Sequence, residues 1–337
     1  MSAVTAAEAI PAADLEQYRR DLVGYCYRML GSVHEAEDAV QDTMLRAWRA
    51  LPSFEDRSGL RPWLYRIATN ICIDMLKGRS RRALPMHLVP AASGEALFGE
   101  PRPEATWIQP APDRLILAPD DDPAERAVSR ESVRIAFIAA LQHLAPRQRA
   151  VLILRDVLRW RAAEVAALLE TSADAVNSAL RRARAALTAV DPEAAPTEPA
   201  GGDRELLAAY VSAFEHHDVD ALVALLRHDA VVDMPPYELW LTGRANIRQW
   251  LIAHDALSDH VLVPVEANGS PAAALYRPDA PGGRASAFAV HVLDTAAGQI
   301  RGIHSFIDPA LFDLFDLPPV LAPEPAAGRT GRTGRDR

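Results

Sequence analysis

The sequence predicts a multidomain protein in which two small all-helical domains precede an α+β domain. Three observations carry this. Apolar residues recur at helical spacing in segments from Asp14 to Leu187. Asp191 to Gly202 is rich in Pro, Ala and Gly and has no period, which marks a boundary. After it, helical segments give way to strand-like runs separated by turn signals, notably Pro281-Gly282-Gly283 and Ala297-Gly298.

Composition agrees. The 337 residues suffice for two or three domains, and 49% hydrophobic with 24% charged residues describes a globular chain. No apolar run is long enough to span a bilayer, so no membrane partner is expected. Met1 to Ala13 lacks a basic region before an apolar core, so no secretory signal is expected. Cys26 and Cys72 are then expected buried and reduced, and the protein cytoplasmic.

Taken in order, Asp14 to Leu30 reads as a helix with Leu15, Tyr18, Leu22, Tyr25 and Met29 on its apolar face and Gly31 as its C-cap. Ser32-Val33-His34-Glu35 has the capping-box pattern and opens a helix to about Leu51. Ala36, Val40, Met44 or Ala47, and Trp48 are expected inward. Asp38, Gln41, Asp42, Leu45, Arg46 and Arg49 are expected outward, as a solvated surface or a protein-docking face. Pro52 to Gly59 is a turn-rich connection. Pro62 suits the first turn of a third helix reaching about Gly78. There Arg61, Tyr65, Arg66 and Asn70 are expected outward, where aromatics beside arginines suit unstacked bases; the plainer use of Trp63 and Tyr65 is packing.

Arg79 to Asp122 shows no sustained period and reads as a long, acidic linker with Trp107 in its middle. Helix resumes at Ala124 to His143 and again from Leu144. Arg161 to Leu187 then carries Val165, Leu168 and Leu169 at helical spacing, Ser172 as an N-cap, and a second stripe of Val176, Leu180, Ala183 and Leu187. Asn177, Ser178, Arg181, Arg182 and Arg184 fall away from that stripe. Two short helices with a tight turn, the second bearing arginines, suggest a helix-turn-helix; the plainer alternative is an amphipathic hairpin with a solvated basic face. Beyond the boundary, Leu206 to His216, Asp220 to Leu226 and Gly243 to His254 read as helices. Strands are expected at Ala230 to Met234, His260 to Asn268, Ala272 to Tyr276, Ala285 to Asp294 and Gln299 to Ile307, and Ala322 to Arg337 as a disordered tail.

Net charge is −9, which at first argues against nucleic acid, but the distribution argues for it. Arg57 to Arg82 holds seven basic residues against Asp74, and Leu141 to Leu187 holds eight arginines against four acids. Two basic patches separated by an acidic segment fit a protein that grips nucleic acid at two places.

Together these residues resemble the bacterial sigma factors of the extracytoplasmic-function type, within the sigma-70 family. Tyr27 to Arg49 resembles their polymerase-binding segment. Phe54 and Arg57 to Met75, with Trp63 to Asn70, resemble the promoter-melting segment; Leu141 to Leu187 resembles region 4. One departure is Glu170, where the family usually has Gly in the turn. Met234-Pro235-Pro236, Trp240 to Arg244 and Asp308 to Phe315 make Asp203 to Leu317 similar to a SnoaL-like, nuclear-transport-factor-like cone-shaped domain. The implied organisation is region 2 at 14–82, an acidic linker at 83–123, region 4 at 124–190, a linker at 191–202, the SnoaL-like domain at 203–320 and a tail from 321.

The resemblance implies core RNA polymerase (clamp and flap) and promoter DNA as partners; no anti-sigma partner is named by the residues. Asp38, Gln41, Asp42 and Arg46 would dock on the clamp. Arg57, Ser58, Arg61, Arg66 and Asn70 would hold the displaced strand of the minus-ten element. Asn177, Ser178, Arg181 and Arg182, with Arg184 beside them, would contact the minus-thirty-five element. The acidic linker would lie in the polymerase cleft along the nascent-RNA path. The C-terminal domain would regulate the factor in cis, with Leu311 to Leu317 packing on the helices or the linker near Trp107, or closing its own barrel.

Two other readings compete. In a two-domain enzyme, Asp233, Tyr237, Trp240, His291 and His304 would line a catalytic pocket, but no paired acid/base spacing is visible, so these five are expected to form a ligand pocket at most. His216-His217-Asp218 is clustered only by adjacency; no metal and no cofactor are expected. A one-component helix-turn-helix regulator would not need the basic, aromatic segment from Phe54 to Arg82.

Overall fold

The computed structural model describes residues 13–54, 59–117, 123–190, 203–257, 260–280 and 283–322. The expected first helix is two: α1 (Ala13–Glu16) and α2 (Arg19–Leu30). Gly31 ends α2 at φ 72, in the left-handed region, and its amide donates to the Tyr27 carbonyl. Ser32 caps α3 (Val33–Ala50) by accepting the Glu35 amide. The Glu35 carboxylate does not close the capping box; it pairs with Arg82 at 2.9 Å and with Arg79. Trp48 does not turn inward. Ala36, Val40, Thr43 and Ala47 form the buried stripe of α3, and Trp48, about 100° round the helix from Ala47, is 59% exposed.

The third helix, α4 (Leu60–Leu76), packs on α2 and α3 through Leu64, Ala68, Ile71 and Cys72. Cys26 and Cys72 are buried and form no disulfide. The aperiodic segment that follows is packed nonetheless. Ala83 pairs with Trp107, and Ile108, Ala111 and Ile116 are buried, the last in α5 (Asp113–Ile116). Its apolar residues answer to different neighbours in turn, so they show no period. α6 (Pro123–Glu131), α7 (Ile135–Gln142) and α8 (Pro146–Leu152) come next. A π-helical turn at Ile153–Val157 leads to α9 (Ala162–Leu168) and α10 (Ala173–Val190).

The C-terminal part begins with α11 (Asp203–Glu215) and α12 (Val219–Leu225). β1 (Leu226–Asp233), β2 (Trp240–Thr242) and α13 (Arg244–Ala253) follow. Then come β3 (Val261–Ala267), β4 (Ser270–Pro278), β5 (Ala285–Ala296) and β6 (Gln299–Phe306). α14 (Leu311–Leu314) and β7 (Val320–Leu321) complete the described chain. The strands form one mixed sheet in the order β2-β1-β6-β5-β4-β3, with β7 on β5; β1 and β6 run parallel and the other pairs antiparallel.

Both faces of this sheet are covered. Ala273, Leu275, Leu293 and Ile303 face α11–α13 and close the domain's own cone. The alternate residues Ala272, Ala274, Tyr276, Val290 and Val292 belong to the same apolar cluster as the N-terminal helices. That explains the unbroken apolar run Ala272 to Tyr276, since a strand buried on both faces has no polar side to alternate with. Phe312 packs on its own domain, edge-on to Tyr276 at 4.9 Å. The end of α14 meets the linker through Arg114, which pairs with Asp316 at 2.7 Å and donates to the Leu314 carbonyl. Of the contacts expected for Leu311 to Leu317, the linker is therefore met at Arg114 and not near Trp107, while Phe312 closes on its own barrel.

Two buried side chains bolt these parts together. Asn268, at φ 54 in the β3–β4 turn, donates to the Tyr27 hydroxyl and the Val133 carbonyl, each at 2.7 Å. Its Oδ1 accepts the Ala111 amide at 2.8 Å. One residue on, Gly269 lies so close to the Arg130 backbone that a Cβ would stand 2.5 Å from its carbonyl oxygen. Arg149 in α8 donates to Gln142 Oε1 at 2.7 Å, to the Gln142 and Leu144 carbonyls at 3.2 and 3.3 Å, and to the Met29 carbonyl at the end of α2. The tail beyond Ala322, the 191–202 segment and the first 12 residues lie outside the described residues.

Candidate nucleic-acid interface and ligand cavity

The turn between α9 and α10 is built as a helix-turn-helix needs. At the start of α9 the Glu164 carboxylate accepts the Arg161 amide at 2.7 Å and the Arg161 guanidinium at 2.9 Å, and Ser172 Oγ accepts the Ala175 amide at 3.1 Å. Val176, Leu180 and Ala183 are buried, so the other side of α10 is left to solvent. Asn177, Arg181 and Arg182 are exposed and Ser178 is half-buried. Arg184 is less available, because its Nε and Nη2 both hold the Asp156 carboxylate, at 2.8 and 2.7 Å.

Glu170 sits in the turn at φ 52, a conformation that costs most side chains about 1–2 kcal/mol and that Gly adopts freely. Glu170→Gly is expected to stabilise the protein by about 0.5–1 kcal/mol, read as a rise in the urea midpoint. No rise would mean that the turn is not strained.

On α3, Asp38, Gln41, Asp42 and Arg46 are all exposed, and Asp42 and Arg46 pair loosely at 3.6 Å. Leu45 and Trp48 are exposed on the same helix, 42% and 59%, so the acids border an apolar strip. Acidic groups around exposed aromatic surface describe a protein-docking face better than a solvated one.

The face of α4 is a different case. Arg61, Arg66 and Asn70 are exposed, but Tyr65 is wholly buried, so it takes the packing role and is not among the outward residues. It lies between Tyr25 and Trp160, each 5.1 Å away between ring centroids, and burial pushes its hydroxyl up to about 12. Trp160 belongs to the connection that enters α9. The Arg61 guanidinium rests over both rings, 5.6 Å from the Tyr65 centroid and 5.8 Å from that of Trp160. Arg66 reaches to 4.0 Å from Glu170 in the helix-turn-helix turn. The second helical domain therefore covers the aromatic part of this surface. Arg57 and Ser58 lie outside the described residues.

In the C-terminal domain a cavity of ≈ 390 Å³ that opens to solvent lies between the sheet and its helices. Of the five residues expected to share a pocket, His291 alone lines it. Strand alternation separates the others. Val232, Met234, Ile303 and Ser305 face the cavity, so Asp233 and His304, between them, face the other way. Those two pair at 2.6 Å, fully buried. Tyr237 and Trp240 instead hold the linker. Tyr237 packs on Phe98 at 4.6 Å, and Trp240 Nε1 donates to the Val89 carbonyl at 2.9 Å. Phe98 thereby closes one side of the cavity.

Burial favours the neutral form of His304, but the charge of Asp233 and its hydrogen bond hold the imidazole above its usual value. A raised folded value contributes stability that is complete below the unfolded value near ~6.5 and is lost as pH rises through the folded one. Asp233→Asn is therefore expected to cost roughly 3 kcal/mol at pH 6 and progressively less toward pH 9. Urea midpoints across that range measure it, and a constant difference would remove the ion pair from the account.

Sequence reasoning missed Asn268, Arg149, Trp160 and Phe98. Asn268-Gly269 between two strand-like runs is a hairpin signal, but nothing local shows that the Asn side chain points into another domain. Arg149 was counted with the basic surface; it is 3% exposed.

Comparison with known proteins agrees with this arrangement. Residues 15–82 match sigma-70 region 2, 134–187 match sigma-70 region 4, and 207–303 match the SnoaL-like domain. The chain is 48% identical over 323 residues to the ECF RNA polymerase sigma factor SigG of Mycobacterium tuberculosis, covering 92% of this chain and 84% of that one. It is 25% identical over 299 residues to the probable ECF RNA polymerase sigma factor SigI of the same organism, covering 88% and 92%. The crystal structure of the Mycobacterium tuberculosis extracytoplasmic function sigma factor SigJ shares the fold, with a TM-score of 0.62, 21% identity, and coverage of 91% of this chain and 100% of that one.

Proposed function

The chain belongs to the extracytoplasmic-function (ECF) RNA polymerase sigma factors, with a SnoaL-like domain at its C-terminal end, and from this we propose that the structure describes the factor in a closed state held by that domain. A sigma factor carries core polymerase to a promoter and helps to open it. For this chain we assign Asp38, Gln41, Asp42 and Arg46, with Leu45 and Trp48 beside them, to the polymerase clamp. Arg57, Ser58, Arg61, Arg66 and Asn70 are assigned to the displaced strand of the minus-ten element, and Asn177, Ser178, Arg181 and Arg182 to the minus-thirty-five element. Region 4 would dock on the flap, and the 83–123 linker would enter the polymerase cleft. The site of action is the cytoplasm. Among the described residues no helix is long and apolar enough to cross a membrane.

The observation that carries the closed-state reading is the burial of Tyr65 under Trp160. Region 4 covers part of the region 2 face assigned to the minus-ten strand, through Trp160 and the turn at Glu170, while its own α10 face stays exposed, so the two regions packed in this way do not leave the minus-ten face free. They must separate when polymerase binds, and the Asn268 turn opposes this by tying region 2, the linker and region 4 to the C-terminal domain. The cavity we read as a binding site with no catalytic role, since the buried Asp233–His304 pair faces away from it.

Run-off transcription with core polymerase tests this, comparing the full chain, a form ending at Pro192 and a form ending before Asp308. The full chain is expected to be the weakest at low factor concentration. Equal output from all three over a range of salt would overturn regulation in cis, and no promoter-dependent transcript from any would overturn the surface assignments.

A further inference from the structure

The linker does more than join regions 2 and 4. Residues 89–102 lie as a strap along β2 and α13. Trp240 Nε1 donates to the Val89 carbonyl at 2.9 Å, and the Ala92 amide donates to the Trp240 carbonyl at 2.9 Å. Asn246 donates to the Ala92 carbonyl and Trp250 Nε1 to the Ala96 carbonyl, each at 3.0 Å; the Arg102 amide donates to the Pro236 carbonyl at 2.8 Å. The approach at Gly94 is close, with a Cβ there only 2.8 Å from the Asn246 carbonyl oxygen. The strap thus carries Phe98 onto Tyr237 and Trp250, and its ring becomes a wall of the ≈ 390 Å³ cavity.

The cavity's chemistry is specific. Phe98, Phe214, Trp250 and Phe288 supply aromatic surface, and the polar floor is Tyr210, His291 and Ser305. The Tyr210 hydroxyl and His291 Nδ1 are 2.7 Å apart. Burial drives the imidazole down to about 3 and the phenol far above its ordinary value, so both are neutral. With the hydroxyl donating to Nδ1, the ring's own proton sits on Nε2; in the other tautomer Nδ1 donates and the Tyr210 hydroxyl is the donor left for a guest. The two ionic side chains in the lining, Arg277 and Asp255, oppose one another in sign and select no net charge.

We propose that this cavity binds a neutral, ring-bearing small molecule that offers one hydrogen-bond acceptor to the Tyr210–His291 pair, with the Phe98 strap of the linker as part of the seat. Because the guest touches the strap, its affinity and the strap's position are linked reciprocally. A guest that fits holds residues 89–102 on the C-terminal domain and so keeps the linker out of the polymerase. This last consequence rests on the reading of the segment as the sigma linker. The binding assay uses no polymerase, so its failure and that of the transcription test are distinct.

The test is titration of the full chain with Nile red, a neutral polycyclic dye bearing a carbonyl, followed by hydrogen exchange. Saturable one-to-one binding is expected in the wild type. It should be at least tenfold weaker in Ala256→Phe, which fills the cavity, and in Leu251→Phe, which fills it from α13 and serves if the first variant does not fold. Phe98→Ala, at a residue 43% exposed, should weaken binding roughly tenfold. His291→Phe should weaken it by a similar factor. Amides of 89–102 should exchange more slowly with dye bound in the wild type, but not in the cavity-filled variants. No saturable binding, binding indifferent to cavity filling, or preference for the anionic 1-anilinonaphthalene-8-sulfonate overturns the site or its chemistry. Binding indifferent to Phe98→Ala, with unchanged exchange, removes the strap from the seat.

Discussion

Replacing Asn268 by alanine is expected to release the C-terminal domain from the sigma regions at a cost of about 3–4 kcal/mol. Three buried side-chain hydrogen bonds are lost, to Tyr27, Val133 and Ala111. The Ala111 amide and the Val133 carbonyl then lose these partners at a place where Asn268 is wholly buried. The backbone adds a further term, since φ 54 suits Asn better than Ala. Asn268→Gly separates the two, because it loses the same hydrogen bonds without the strain and should be roughly 1 kcal/mol less damaging. Calorimetry should show one transition in the wild type and two in Asn268→Ala. Transcription at limiting factor should rise toward that of the form ending at Pro192. A single transition at an unchanged temperature would mean that the turn holds nothing together.

Arg149→Met is expected to cost about 3 kcal/mol and to loosen region 4 from region 2. The guanidinium is 3% exposed and gathers Gln142, the Leu144 carbonyl and the Met29 carbonyl. Burial lowers its pKa to about 10, still far above neutrality, so it is charged throughout the working range. Met fills the stem's volume but returns none of the hydrogen bonds. Arg147→Met, at an exposed position on the same helix, is the control and should change stability by no more than about 0.5 kcal/mol. Tyr65 gives an independent readout. If the regions part, Trp160 leaves its ring, and the intrinsic tryptophan fluorescence should shift to the red. Equal stability of the two variants would return Arg149 to the basic surface where the charge count had placed it.

These effects fall on residues whose roles were not legible in the sequence, while much of the remaining frame was. Gly31, Ser32 and Ser172 mark helix ends as expected, because a cap is decided within three or four residues of itself. The stripe of α10 follows from helix period alone, and with it the exposure of Asn177, Arg181 and Arg182. Trp48 shows where that reasoning fails. A large aromatic beside a stripe is assigned inward by hydropathy, but α3 packs closely through Ala36, Ala39, Thr43 and Ala47, leaving Trp48 on the surface. The pocket residues failed for a related reason. Asp233 and His304 are register partners on β1 and β6, but which face of those strands is the cavity depends on which helices cover it.

The sequence by itself determined the order of the regions, their helix ends, the outward faces of α3 and α10, and the apolar run of β4. All of these follow from chemistry between near neighbours along the chain. Tertiary structure alone decided that Tyr65 is covered, that Arg149 is interior, that the linker walls a cavity, and that Asn268 is the bolt. Asn268 and Tyr27 stand 241 positions apart, and Asn268 and Ala111 stand 157 apart. A hydrogen bond over such a separation leaves no period and no local motif. Its energy comes from removing both partners from water at one place, and only the folded chain brings them there.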